Sequence, residues 1–380
     1  MKKLFYIGIS LLVLFEIVNV YFIMPMPGSQ RMASIDLAYT LYSWRWLFRA
    51  IFAAMIIAGA PFAWGAPGRQ RFAVPALLVL AAVVAYAANF QMAADSMFIA
   101  PKSVVMLPAD RNKVDTARLV VGIVIDGEAR AFPVQFIGYH HQVRDTVAGR
   151  PVMVSYCTVC RTGRVFSPVV DGRSETFRLV GMDHFNAMFE DATTHSWWRQ
   201  ANGEAIAGPS KGKALTELPS RQVRLSEWLR EHPKSLIMQA DSALATNYSK
   251  GFDYETGASR KSLTGTDTVS WHDKAWVVGI TVNGQSKAYD WNRLRREKVV
   301  NDVLGGKPIV VALASDKSSF CAFVRPNAAT SFAVRHDSLV AGAVTYAFSG
   351  QGVNGALEPV NASQEFWHSW RTFQPATTRY

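Results

Sequence analysis

The sequence predicts an α+β protein rich in antiparallel strands: tandem duplicated antiparallel β units with short helices, preceded by a three-helix transmembrane segment. Three observations lead there. The 380 residues carry three long apolar stretches before position 95. The rest alternates between apolar and polar residues around Asx-Gly turns. That remainder also repeats itself at a fixed offset.

The apolar stretches cover residues 4–24, 46–64 and 72–94. Each is near the ~20 residues a helix needs to cross a bilayer. A cleaved signal peptide is the rival reading of the first, but no A-x-A site follows it and two more spans do. Lys2 and Lys3 precede the first span, and Arg69 and Arg71 lie between the second and third. Positive loops stay cytoplasmic, so an odd number of spans places everything after Asp95 outside the cytoplasm. The sequence thus predicts a membrane protein with an extracytoplasmic C-terminal part, which in a bacterium is an inner-membrane protein with a periplasmic domain, and the lipid bilayer as its first partner. Arg31, Arg45 and Arg49 sit on the wrong side for that rule; Arg45 and Arg49 can snorkel to the interface. Glu16 and Asn19 interrupt the first span and can pair with another.

The net charge of +11 raises nucleic-acid binding. Of that surplus, +5 belongs to residues 1–94, and the remaining +6 is dispersed without a basic block. Scattered charge of this kind is solvated surface, and the basic-aromatic pattern of nucleic-acid modules is absent. No nucleic acid is expected, and no protein partner or small ligand is identified.

Beyond the spans, "VVGIVIDGEARAFPVQFIGYHHQVRDTVAGRPVMV" from Val120 aligns without a gap with "VVGITVNGQSKAYDWNRLRREKVVNDVLGGKPIVV" from Val277. Eleven of the 35 positions are identical, too many for chance. Both copies read as a hairpin, around Asp126-Gly127 and Asn283-Gly284, residue pairs that tolerate the positive φ of a type I′ turn. Short helices follow at 133–138 and 291–296, then an apolar strand. Another hairpin is expected at Asp171-Gly172, and each unit closes on a Trp-bearing helix, at 226–233 and 365–375. The organisation is a membrane domain at 1–95, a first repeat at 102–240 and a second, degenerate repeat at 260–380.

The copies part where chemistry matters. Cys157 and Cys160 face Ala314 and Lys317, while His140 and His141 face Glu297 and Lys298. Scaffold residues survive in the second copy and soft ligands do not, which puts the site in the first. Cys321, opposite Arg164, reads as a buried small side chain, and His184, His232, His272, His336 and His368 read as structural.

The motifs "YHHQVRD", "YCTVCRTG", "EDATTHSWWRQ" and "AIAGPSKG", in this order, resemble the bacterial family called domain of unknown function 3179. The resemblance implies no activity, but it does imply a shared site of His140, Cys157, Cys160, Asp191, Thr194, Ser196, Trp198 and Gln200. Thr158, Arg161, His141 and His195 depart from the usual pattern, and the two histidines add possible ligands.

Three functions are compatible with these residues. In the first, Cys157, Cys160 and His140, with His141 or His195 and Asp191 in support, hold copper or zinc. Asp191, Thr194, Ser196, Trp198 and Gln200 then form an adjoining cofactor or ligand site. In the second, Cys157 and Cys160 are the redox couple of a thiol–disulfide oxidoreductase. The glycine and strand-like run after Cys160 argue against the helix-borne arrangement of thioredoxin. In the third, a β scaffold binds a ligand or protein and the cysteines brace a turn. The sequence assigns no substrate and does not decide whether the protein is an enzyme.

Overall fold

The computed structural model describes residues 1–380 except Ala66, Lys250 and Asn354 and the side chains of Arg69 and Gln70. Arg69, one of the residues behind the predicted orientation, therefore has a side chain outside the described set. The chain is α+β, with many antiparallel strands, short helices and three apolar helices at its N-terminal end. It divides into two compact units. One comprises Met1–Ile99 with Thr176–Arg199 and Glu204–Lys213; the other comprises the remainder.

In the first unit, helices Lys2–Tyr21 and Arg45–Trp64 and the helical run Ala73–Gln91 are each long and apolar enough to cross a membrane. Small residues let the first two approach closely. A Cβ on Gly59 would lie 2.3 Å from the Phe5 backbone nitrogen, and one on Gly8 3.0 Å from Ile56. Such contacts are the usual means of helix association in lipid, where apolar burial offers little drive. The same unit holds a four-stranded antiparallel sheet of Ala205–Ala207, Trp197–Arg199, Asn186–Asp191 and Phe177–Asp183. Met182 N–H donates to the Ile23 carbonyl at 2.7 Å, so this sheet is tied to the end of the first helix.

The second unit uses one order of elements twice. Strands Leu119–Ile125 and Glu128–Pro133 form a hairpin; Asp126 and Gly127 at its tip have φ of 46° and 85°. Helix Val134–His140 follows, and then strands Gln142–Val147, Arg150–Cys157 and Thr162–Phe166. The counterparts are the hairpin Trp276–Val282/Gln285–Asp290, helix Trp291–Glu297, and strands Val299–Leu304, Lys307–Leu313 and Phe320–Val324. Both helices stop at a residue in the left-handed region, His141 and Lys298.

Each first hairpin gains an antiparallel strand on one side and a parallel one on the other. Arg221–Arg224 and Leu236–Met238 flank one; Ala362–Phe366 and Thr378–Arg379 flank the other. Between those added strands lie the helices Leu225–Glu231 and Trp367–Phe373. Their tryptophans cover the hairpins at a glycine. A Cβ on Gly122 would sit 2.3 Å from the Trp228 ring and one on Gly279 2.1 Å from the Trp370 ring. Each indole N–H then donates at 2.8 Å to a hydroxyl seven residues on, Ser235 or Thr377. The second helix begins at Trp367, later than the sequence pattern indicates, because 362–366 is claimed by the strand that pairs with Trp276–Ile280.

Candidate functional site

Cys157 is the last residue of its strand and pairs with Thr162, so Thr158–Arg161 form the four-residue turn of a hairpin. Arg161 closes that turn at φ 57°. The expectation that no helix follows Cys160 agrees with this backbone. Cys157 and Cys160 are both thiols with 0% exposure.

The turn is held from outside by the second set of elements in the same unit. Phe366 N–H donates to the Cys160 carbonyl at 2.8 Å, and His368 Nε2 lies 3.2 Å from the Val159 carbonyl. That carbonyl only accepts, so Nε2 carries the proton. Burial holds the His368 imidazole below its ordinary pKa. Tyr254 donates its hydroxyl to the Thr158 carbonyl at 3.0 Å and lies 3.3 Å from the Tyr156 hydroxyl. At the base of the hairpin, Gln200 Nε2 donates to Ser155 Oγ and the Thr162 carbonyl.

Arg161 is the unusual member. Its side chain has 0% exposure. It donates to Gln364 Oε1 at 3.0 Å and to the Tyr254 and Glu255 carbonyls at 2.7 Å each. Its guanidinium lies 3.6 Å from the centroid of Trp276 and 5.0 Å from that of Tyr254. Among the described residues no carboxylate lies within ion-pair distance of it. Arg164, three residues on, is paired with both Glu217 and Glu365. Isolated buried charge is costly; the Glu255 carboxylate interacts with the Arg161 cation electrostatically, beyond ion-pair distance, and is itself paired with Arg118. The Tyr156 and Tyr254 phenols sense the local groups: burial pushes both up, the Arg161 cation pulls them down, and Cys157 adds to the rise.

The structure sets both candidate histidines beside this hairpin. Tyr156 N–H donates to the His141 carbonyl at 3.0 Å, and a Cβ on Gly138 would lie 3.1 Å from the Thr158 methyl. His140 Nε2 is 2.8 Å from the Tyr248 hydroxyl. His141 Nδ1 is 3.1 Å from the Tyr139 carbonyl and must be the donor, so Nε2 carries the lone pair. Burial first, then the neighbouring His140, hold His141 down at about 4, against a backbone hydrogen bond that raises it.

This depressed value has a consequence for acid stability. In the unfolded chain His141 takes up its proton near pH 6.5, whereas in the fold it does so only near pH 4. The unfolded state therefore binds more protons in that window, and stability falls as pH drops from 6.5 towards 4, by up to roughly 3 kcal/mol. Asparagine suits the left-handed backbone at φ 61°. His141→Asn is expected to flatten this part of a melting-temperature-versus-pH profile. An unchanged slope would show that other groups set it.

The remaining candidates lie in the first unit. Asp191 accepts hydrogen bonds from Thr194 Oγ1, from Ser196 N–H at 3.1 Å, and from Trp198 Nε1 at 2.8 Å. Its carboxyl is held below the usual range: these bonds outweigh burial, which pushes the other way. Ser196 Oγ accepts from Ser210 N–H at 2.9 Å and lies 2.7 Å from Thr194 Oγ1. Gly208 begins the loop that carries Ser210; a Cβ there would meet Ser196 at 2.7 Å. The D-x-x-T-x-S-x-W stretch and the GPS loop thus build one locked turn around a carboxylate. His195, at its tip, is 71% exposed, with Nδ1 3.7 Å from Glu190.

Among the described residues no three His, Cys, Asp or Glu side chains are grouped as a metal site requires. Sequence reading did not identify Tyr254, Gln364 or His368 at the CxxC turn. One signal was available for the last: aligning the two Trp helices on Trp228 and Trp370 puts His368 opposite Ser226.

The family described as "Protein of unknown function (DUF3179)" matches residues 100–377. No curated protein and no solved structure matches the chain.

Proposed function

The chain belongs to the DUF3179 family, and from that premise, which carries no activity, we propose a membrane-anchored protein whose Cys157 and Cys160 form a two-electron dithiol–disulfide couple. One observation supports this above the others: the turn that carries the two buried cysteines also carries a fully buried Arg161, whose guanidinium has no carboxylate at ion-pair distance among the described residues. A cation at short range favours thiolate, the nucleophilic form. A thiolate at either cysteine would add to the Glu255 carboxylate, which Arg118 already pairs.

The step balances as thiol–disulfide exchange with a partner disulfide. One cysteine thiolate attacks a partner sulfur and releases the other as a thiolate, giving a mixed disulfide. The second cysteine, deprotonated, attacks its neighbour's sulfur and releases the partner's second thiolate. Two electrons pass to the partner, and two protons leave the cysteines. Because both thiols are buried, the turn must open first, which breaks the Phe366–Cys160 and His368–Val159 contacts.

Equilibration of the full-length protein in glutathione buffers, read by alkylation and mass shift, tests this. The pair should titrate as one two-electron couple at about −120 to −270 mV, the span of characterised thiol oxidoreductases. Thiols that stay reduced throughout would leave the pair a brace for the turn. Copper or zinc at the same residues remains a second reading, favoured by one feature: a metal-bound imidazole typically gives its other N–H to a carbonyl, as His141 does to Tyr139. It requires a further ligand to be drawn in. Near-stoichiometric metal in protein purified without chelators would replace the redox reading with this one.

A further inference from the structure

The first unit contains a cavity of about 740 Å³ among its three apolar helices. The geometry points to a binding site for one anionic glycerophospholipid with a hydroxylated headgroup. This goes beyond the dithiol proposal and rests only on its membrane-anchored part.

The cavity is graded from polar to apolar. At one end lie Asn19, Arg45, Trp46 and Arg49; further along the same helices lie Leu12, Ala53 and Ala82. From Arg45 to Ala53 a helix rises ~12 Å, so an amphiphile fits with its head at the first group. A partner helix would need a groove close to the ~30 Å of the hydrocarbon core, and a volume of this size is that of a small-molecule site.

Two groups at the polar end await a ligand. Asn19 is 8% exposed, and its side-chain oxygen is buried without a hydrogen-bond partner. That oxygen calls for a donor. Arg45 donates to the Tyr42 carbonyl at 2.6 Å and stacks over the Tyr42 ring at 3.8 Å, with no carboxylate partner among the described residues. The other two arginines of the lining are already neutralised. Arg49 pairs with Glu16 at 2.7 Å, and Arg178 pairs with Glu190 at 2.7 Å and Asp95 at 3.1 Å. Arg45 is therefore the one arginine of the lining without a carboxylate partner among the described residues, and Asn19 supplies an acceptor that lacks a donor. A phosphodiester for Arg45 and a headgroup hydroxyl for Asn19 satisfy both. Aromatic residues at this level, Trp46 and Tyr86 among them, suit the headgroup depth of a bilayer.

Thermal melting of the full-length protein in detergent, with lipids added at equal mole fraction, tests the site. Phosphatidylglycerol is expected to raise the melting temperature and phosphatidylcholine to leave it unchanged. Arg45→Gln should weaken the phosphatidylglycerol response about fivefold, from ~1 kcal/mol per basic residue at an anionic surface; Arg45→Lys should retain it. Asn19→Leu should weaken phosphatidylglycerol while leaving phosphatidic acid, which lacks the hydroxylated headgroup, unaffected. Equal protection by both first lipids, or an undiminished response in Arg45→Gln, would overturn the assignment. Equal protection by inorganic phosphate alone would also overturn it, since the site would then take a free anion.

Discussion

Replacing Arg161 by methionine is expected to destabilise the second unit by about 3–5 kcal/mol and to raise the thiolate midpoint of the CxxC pair by about one pH unit or more. The substitution strips donors from the Tyr254 and Glu255 carbonyls and from Gln364. Gln364 keeps Gln222 as a second donor at 2.8 Å; the two carbonyls lose the guanidinium outright. The charge effect depends on the thiols. If one is a thiolate, methionine removes its counter-charge and both effects add. If both are neutral, methionine relieves a buried, unpaired cation, and much of the lost hydrogen bonding is offset. Melting of the full-length protein in detergent, together with the pH midpoint of thiolate absorbance, separates the cases. A melting temperature within a degree or two of wild type and an unmoved midpoint would remove the cation from the chemistry of the cysteines. Arg161→Lys, which keeps the charge but loses the fork, should retain the midpoint better than the stability.

The fold was legible where local chemistry decides it. Asp126-Gly127 and Asn283-Gly284 adopt the positive φ their residue types favour, and the apolar run ending at Cys157 is a buried strand. The short helices and the Trp-bearing closing helices follow from spacing and from the Pro and Asp residues ahead of the short ones. What stayed hidden depends on pairing between distant segments. Trp228 over Gly122 and Trp370 over Gly279 give no periodic signal, because a glycine in a strand reads only as a weak point. The Phe177–Ala207 strands group with the N-terminal helices through contacts such as Met182 with Ile23, more than 150 residues apart.

The site was legible in part for the same reason. His140, His141, Cys157 and Cys160 come to one end of one sheet because His141 lies opposite Tyr156 across adjacent strands. The register follows from the hairpin, so their proximity was within reach of the sequence. Arg161 read only as a departure from the family pattern; the structure gives it three hydrogen bonds and two aromatic faces supplied from residues 254–364. Those partners lie about 100 to 200 positions away, and no local motif encodes them. Asp191, Thr194, Ser196 and Trp198 read as a possible ligand site, and the hydroxyls, the indole and the carboxylate of this stretch hydrogen-bond one another. Gln200, from the same stretch, braces the CxxC hairpin.

The second large effect is expected inside the helices. Glu16 accepts from Arg49 through both oxygens, at 2.7 and 2.8 Å, and Asn89 bridges the pair, accepting from Arg49 at 2.7 Å and donating to Glu16 at 2.8 Å. Glu16 is 2% exposed. Arg49, which the orientation rule treats as misplaced, thus turns inward to an acid on another apolar helix. Glu16→Ala would leave the largely buried guanidinium with Asn89 alone, at about 3–5 kcal/mol. Glu16→Gln should cost less, because the amide still accepts from Arg49. Removing both charges in Glu16→Leu/Arg49→Leu should recover most of the loss, since a packed apolar pair replaces a buried ion pair at little net cost. Melting temperatures of the four proteins in one detergent test this, with the double variant expected nearer wild type than Glu16→Ala. If Glu16→Ala melts with wild type, the pair is hydrated in the assembled helices and contributes nothing to holding the spans together. If the double variant falls as far as the single, the polar contacts themselves, and not the unpaired charge, set the association of these helices.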